Sequence, residues 1–184
     1  IDKFYPNLSV LVGSHTECLL SNAPPWHRWP VVTAKYEIDR ETVDICSPFG
    51  GIVYIVCEDF NYDIIDSKIE FDATFHNVTQ HPAYIKYAEN SYEESRNMMI
   101  PWGELETEFI IFTMPTDKLD KLSKGSFTEV TTFIDSIVSK VLTFTSNESM
   151  RLFRVVFDVD IVDESTGIGY PIYLEMGMLE SIFF

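Results

Sequence analysis

The sequence predicts an α+β fold, mostly antiparallel β-sheet or sandwich, with one long amphipathic helix at about residues 127–143. Three observations lead there. Fourteen Phe and nine Tyr in 184 residues favour pleated, half-buried surfaces. Strand-like segments dominate the chain before the helix. The one strong helical period comes late, so strands and helices do not alternate as in a βαβ chain.

Leu8 to Val12 reads as a short strand. Ala23-Pro24-Pro25-Trp26-His27-Arg28-Trp29-Pro30 reads as a stiff loop, because each Pro fixes its own φ and restricts the residue before it. Val32, Ala34, Tyr36 and Ile38 alternate with polar residues, the period of a half-buried strand. Ile52 to Cys57 is apolar throughout after Gly50-Gly51, which predicts a strand covered on both faces. Ile69, Phe71, Ala73 and Phe75 alternate with Glu70, Asp72, Thr74 and His76, a further half-buried strand. For Pro82 to Met99 a surface helix and a long loop fit equally well. Phe109 to Met114 is a buried strand, and Thr116 to Leu122 a helical turn.

Ser126-Phe127-Thr128-Glu129 is a capping box that opens the long helix. Phe127, Val130, Phe133, Ile134, Ile137, Val138, Val141 and Leu142 recur at three- and four-residue steps and form its apolar stripe. In Leu152 to Val162, Phe153, Val155, Phe157, Val159 and Ile161 share one strand face, with Asp158 and Asp160 on the solvated face. Ile168 to Leu174 is a last strand, held to an edge or a bulge by Pro171. The chain reads as one domain, or part of one, over residues 1–184.

Thirteen basic residues against 29 acidic give a net charge of −16. Such a surface repels phosphate backbones and anionic lipid, which excludes nucleic acid, and it suits a cationic partner or plain solubility. No apolar run reaches the ~20 residues of a transmembrane helix. No signal-peptide pattern opens the chain, which begins at Ile1 and reads as a fragment or a processed chain. Cys18, Cys46 and Cys57 lack metal spacing and do not make a disulfide framework. Asn7, Asn77 and Asn147 begin glycosylation triplets that matter only in the secretory pathway.

No catalytic constellation emerges. His15, His27, His76 and His81 include no pair at i,i+4 and none is followed by Glu, so they read as surface histidines. Asp158 to Glu164 lacks the Gly of a calcium loop. Glu104, Glu106 and Glu108 alternate on one strand face, whereas a glycosidase needs carboxyls facing each other from different segments. Cys57 lies in an apolar strand without a basic neighbour, and Gly50-Gly51 lacks a phosphate-loop pattern. Trp26 and Trp29 either stack on sugar faces or pack the Pro-rich loop onto the core, and packing is the commoner arrangement.

Three islands carry a family resemblance. They are Ser47-Pro48-Phe49-Gly50-Gly51 with its following apolar strand, Pro101-Trp102-Gly103-Glu104-Leu105 running into Phe109 to Pro115, and Gly169-Tyr170-Pro171-Ile172. In that order they resemble the enhancin-like zinc metallopeptidases that attack mucin-type glycoproteins, and the related TRP-channel-associated factors. Ser165-Thr166-Gly167-Ile168 departs from the polar residue that precedes Gly-Tyr-Pro in that family. The resemblance implies a zinc helix with H-E-x-x-H beyond Phe184, hence a chain without catalytic residues, inactive alone and without zinc of its own. It places Gly169, Tyr170, Pro171 and Ile172 along a cleft wall and Trp102 in the core. It implies a glycoprotein substrate or, as in the channel-associated factors, a membrane-protein partner. A carbohydrate-binding module is a third reading, resting on Trp26 and Trp29 being exposed together. Met176, Met178, Leu179, Ile182, Phe183 and Phe184 form either an uncovered apolar edge or an element folded back on the sheet.

Overall fold

A computed structural model describes residues 8–21, 24–57, 71–88, 90–123, 125, 127–146, 151–161 and 170–184. They fall into two compact units, one drawn from residues 1–14 and 32–80, the other from 15–31 and 81–184. The fold is α+β, as the composition and late helix predict.

The first unit is a three-stranded antiparallel sheet in the order β2-β1-β3, with β1 Leu8–Val12, β2 Ala34–Glu37 and β3 Val53–Cys57. β1 is central, and Leu8, Val10 and Val12 are buried. Gly13 and Gly51 let two backbones meet: Gly13 N–H donates to Ile52 O at 2.8 Å, and a Cβ on Gly51 would lie 2.7 Å from Gly13 Cα. β3 is an edge strand, half-buried along Val53 to Val56, and not covered on both faces as its apolar run suggested. The strand expected at 69–76 is not formed over its described part, 71–76, where Phe71 and Phe75 are exposed. Residues 69 and 70 lie outside the described residues. Alternation alone does not make a strand without a neighbour to pair with.

The second unit holds a five-stranded sheet in the order β4-β5-β6-β7-β8. Its strands are β4 Ala83–Ile85, β5 Trp102–Glu106, β6 Ile110–Pro115, β7 Phe153–Asp158 and β8 Ile172–Glu175. Only β5 and β6 pair antiparallel in this sheet; β4–β5, β6–β7 and β7–β8 are parallel. The expected antiparallel layout thus holds in the first sheet and gives way to mainly parallel pairing in this one. The chain leaves β6 through α2 Thr116–Ser123 and α3 Phe127–Thr145 and re-enters at β7, a helical crossover that delivers the next strand parallel. The stretch left open at 82–99 contains β4 and a short helix, α1 Ser91–Ser95.

One face of this sheet is the main core. Leu105, Phe112, Met114, Val155 and Phe157 pack with Tyr92 of α1, Leu119 and Leu122 of α2, and Leu179 and Phe183 of α4 Met176–Phe183. The C-terminal residues therefore fold back in part: Leu179 and Phe183 are buried, while Met178, Ile182 and Phe184 are exposed.

Helix α3 starts where predicted, and Ser126 of its capping box lies outside the described residues. Its facing corrects the sequence reading. Phe127, Val130 and Ile134 pack against the core, but the fully buried positions are polar, Thr131 and Asp135. Asp135 accepts from Lys86 Nζ at 2.5 Å and from Glu108 N–H at 3.2 Å. Phe133, expected on the buried stripe, is 64% exposed, and Ile137, Val141 and Phe144 are exposed beside it.

Candidate functional site

The site grows from the far end of β7. β7 is interior to the sheet, and Val155, Val156 and Phe157 are all buried, so both of its faces are covered. The strand stops at Asp158, and Val159 turns out to solvent, which corrects the alternation expected to run on to Ile161. Asp158 and Asp160 were expected on a solvated face. Instead Asp158 is 1% exposed, and the Asp160 side chain is also enclosed.

Both carboxylates are filled by the Pro-rich loop. Arg28 Nε donates to Asp158 Oδ1 at 3.1 Å and Nη2 to Oδ2 at 2.7 Å, a bidentate pair. Nη1 donates to Trp29 O at 2.9 Å and Nη2 to Glu17 O at 3.1 Å. Asp160 accepts from the backbone N–H of His27 at 2.8 Å and of Arg28 at 2.8 Å, and its Oδ1 lies 2.7 Å from His27 Nδ1. Burial raises the Asp160 carboxyl, but these hydrogen bonds from His27 and Arg28 outweigh it and hold the group below its ordinary value.

The loop is thus pinned through its middle. Trp29 is 68% exposed and Trp26 is 37% exposed. Trp29 is therefore largely open, whereas Trp26 keeps most of its surface covered. Leu20 and Val159 are exposed apolar residues of the same unit: Leu19 N–H donates to Pro30 O at 3.1 Å, and Val159 lies between the two clamping carboxylates.

Below the loop, residues 15–19 cross the sheet face opposite the main core. Leu19, Val156, Ile161 and Tyr173 form a second apolar cluster. His15 is buried, not a surface histidine; its Nε2 lies 3.0 Å from Phe157 O and its ring meets the Trp102 ring edge-on. Burial pushes the His15 imidazole down despite the nearby Asp158 charge. Thr16 N–H donates to the Tyr173 hydroxyl at 2.8 Å.

The other predicted cleft residues lie elsewhere. Gly169 falls outside the described residues. Tyr170 and Pro171 lead into β8, whose Ile172 pairs beside Val155, so they sit at the entry end of β7 and β8. The clamped loop sits at the exit end, beyond Asp158. At ~3.3 Å per residue, five residues of strand separate the two by about 16 Å. Tyr170 is exposed and stacks with the Arg151 guanidinium, 3.7 Å from its ring centre. The structure brings Trp26 and Trp29 into one loop and leaves Tyr170, Pro171 and Ile172 apart from them.

A polar network crosses the middle of that same sheet face. Glu104 accepts from Arg154, whose Nη1 also reaches Thr113, and Glu104 Oε2 lies 3.2 Å from His81 Nε2. Burial raises the Glu104 carboxyl, but His81 and the Arg154 guanidinium together bring it down to about 2. Glu106, on the same face, is raised by burial and by the Glu104 charge. The carboxyls share one strand and one face, so they do not oppose each other across a bond.

Among the described residues no group of three or more His, Cys, Asp or Glu side chains is placed to hold a metal ion. His15, His27 and His81 each turn a ring nitrogen onto an internal acceptor. No helix of the described residues is long and apolar enough to cross a membrane.

Sequence reasoning missed the clamp. Its signal was an Arg between two Trp in a Pro-rich loop and two Asp at the end of an apolar strand, about 130 positions apart.

Comparisons with known proteins agree with the three islands. Residues 2–70 match the N-terminal domain of M60-like peptidases. The chain is 31% identical over 174 residues to the TRPM8 channel-associated factor homolog of Xenopus laevis, covering 91% of this chain and 18% of that protein. It is 30% identical over 182 residues to human TRPM8 channel-associated factor 1, covering 96% and 18%. The chain therefore spans under one fifth of the length of these curated relatives. A crystal structure of a functionally unknown conserved protein mutant from Bacillus anthracis str. Ames shares the fold, with a TM-score of 0.57 at 16% identity over 98% of this chain and 37% of that one.

Proposed function

We propose that this chain, related to the TRPM8 channel-associated factors over most of its length and to the M60-like peptidases through residues 2–70, is a non-catalytic recognition module that engages a membrane protein. The observation that carries this reading is the clamped loop. Trp29 stands largely exposed and Trp26 partly so, on a segment whose backbone is fixed by buried carboxylates, so little ordering is needed when a partner docks. Tryptophan is the residue that most often anchors protein interfaces.

The M60-like match favours a second reading, in which the chain forms part of an enhancin-like metallopeptidase domain. The same surface then holds a glycoprotein for zinc chemistry supplied by residues outside this chain. In both readings this chain carries no catalytic residue and no zinc. Metal analysis after dialysis tests that point, and one tightly held zinc per chain would overturn it.

The partner test uses the immobilised full chain, titrated with a detergent-solubilised TRPM8-type channel and, in parallel, with a mucin-type glycoprotein. Replacing Trp26 and Trp29 together by Ala is expected to weaken binding by about tenfold or more, with circular dichroism checking that the fold is kept. Undiminished binding by the double variant removes the loop from recognition. Binding of the glycoprotein alone favours the peptidase reading.

A further inference from the structure

We infer that the Trp26–Trp29 loop receives a cationic segment of its partner, with Lys or Arg side chains laid against the two indoles. This rests on the recognition reading above and names the chemistry of the same site.

Four observations select that occupant. Indole faces are the strongest aromatic acceptors of a cation, and Trp29 is the more open of the two. The loop's own cation does not compete, because the Arg28 guanidinium is turned inward and neutralised by Asp158. The surroundings are anionic: Glu17 is exposed next to the loop, and the whole chain carries −16. Such a field draws in cations and holds off a second copy of the same chain.

The fourth observation is that the carboxylates beneath the loop are already used. A glycan site needs free acceptors and donors beside the ring to read hydroxyls. Here both oxygens of Asp158 and both of Asp160 already accept hydrogen bonds from Arg28, His27 and the backbone. The loop turns outward its two indoles and the His27 ring between them, whose Nδ1 is held by Asp160, and Leu20 and Val159 are exposed apolar residues of the same unit. That suits a segment mixing basic and apolar side chains.

The test uses the full chain and a synthetic peptide alternating Arg and Leu, followed by tryptophan emission and by heat. The peptide is expected to bind and to weaken steeply as salt is raised. The Trp26→Ala/Trp29→Ala variant has the same net charge, so it separates the site from general attraction to an acidic surface. It is expected to bind about tenfold more weakly or worse. Trp29→Lys places a cation in the site and is expected to block it; circular dichroism checks that the fold is kept. A Glu-for-Arg peptide is expected not to bind. Equal binding by the double variant overturns the proposal, as does equal or tighter binding of a neutral Gln-Leu peptide or of a mucin oligosaccharide at this loop. The last two outcomes leave the recognition reading standing. That reading falls only if the same double variant still holds the channel and the glycoprotein at full strength.

Discussion

Arg28 and Asp158 show how one pair of residues sets up a binding surface. The Asp158 side chain has no solvent contact, and the Arg28 side chain has little. Such a pair is not a net source of stability compared with apolar residues of the same shape, but removing one member leaves a buried charge unpaired. Arg28→Met is therefore expected to cost about 3–5 kcal/mol in urea unfolding and to change the Trp29 environment. A loss under about 1 kcal/mol would mean that water or another cation replaces the guanidinium. Glu104 supplies a second residue-scale prediction, with a definite sign. Its folded carboxyl sits at about 2, below the ordinary 4.5, because His81 and Arg154 overcome the burial that would raise it. A depressed carboxyl stabilises the fold above its unfolded value and loses that contribution as pH falls through the folded one. The loss is expected between about pH 4.5 and pH 2 and amounts to roughly 3 kcal/mol. Glu104→Gln should flatten that part of the acid-unfolding profile; an unchanged slope would assign it to other carboxyls.

At the scale of one element, helix α3 divides what the sequence shows from what it hides. Its existence and start were legible from the three- and four-residue steps of apolar residues. Its facing was not, because eight apolar positions cover more of the circumference than one core contact can use. The choice falls to Asp135, which meets Lys86 and the Glu108 N–H, partners 49 and 27 positions away. No local pattern announces them. Phe133→Asp is accordingly expected to change stability by no more than about 0.5 kcal/mol, because the site is solvent-facing. Asp135→Ala is expected to cost about 1–3 kcal/mol through the buried Lys86 and Glu108 groups it deserts. The reverse order in thermal unfolding would show that α3 packs on its apolar ridge after all. Strands follow the same division. β1, β2, β6 and β7 were legible as apolar or alternating segments of strand length, although β6 and β7 are buried at consecutive positions. The parallel order of β6, β7 and β8 was not, since pairing depends on a crossover that composition does not encode. The clamp at Asp158 and Asp160 was misread for the same reason: a carboxylate at a strand end looks solvated until its Arg is placed.

Across the whole molecule, charge is the property that the fold leaves least compensated. The 29 acidic residues outnumber the 13 basic ones, and several of the basic ones are used inside, Arg28, Lys86 and Arg154 among them. Exposed pairs such as Lys35–Glu37 and Arg40–Asp39 contribute little and weaken in salt. The enclosed pairs are screened far less. The remaining acidic surface repels itself, and that repulsion destabilises the compact state. Raising ionic strength from about 0.01 M to about 0.15 M shortens the screening length from about 30 Å to about 8 Å. The net result is expected to be stabilisation, because the screened repulsion involves more charges than the screened attraction. A gain of about 1 kcal/mol would raise the thermal midpoint of a chain this size by roughly 2–4 °C. The same salt is expected to weaken the cationic peptide at Trp26 and Trp29, so stability and binding should move in opposite directions in one titration. A midpoint that stays flat or falls over this range would show that exposed ion pairs outweigh the self-repulsion, and the steering of a cationic partner by the chain's net charge would lose its support.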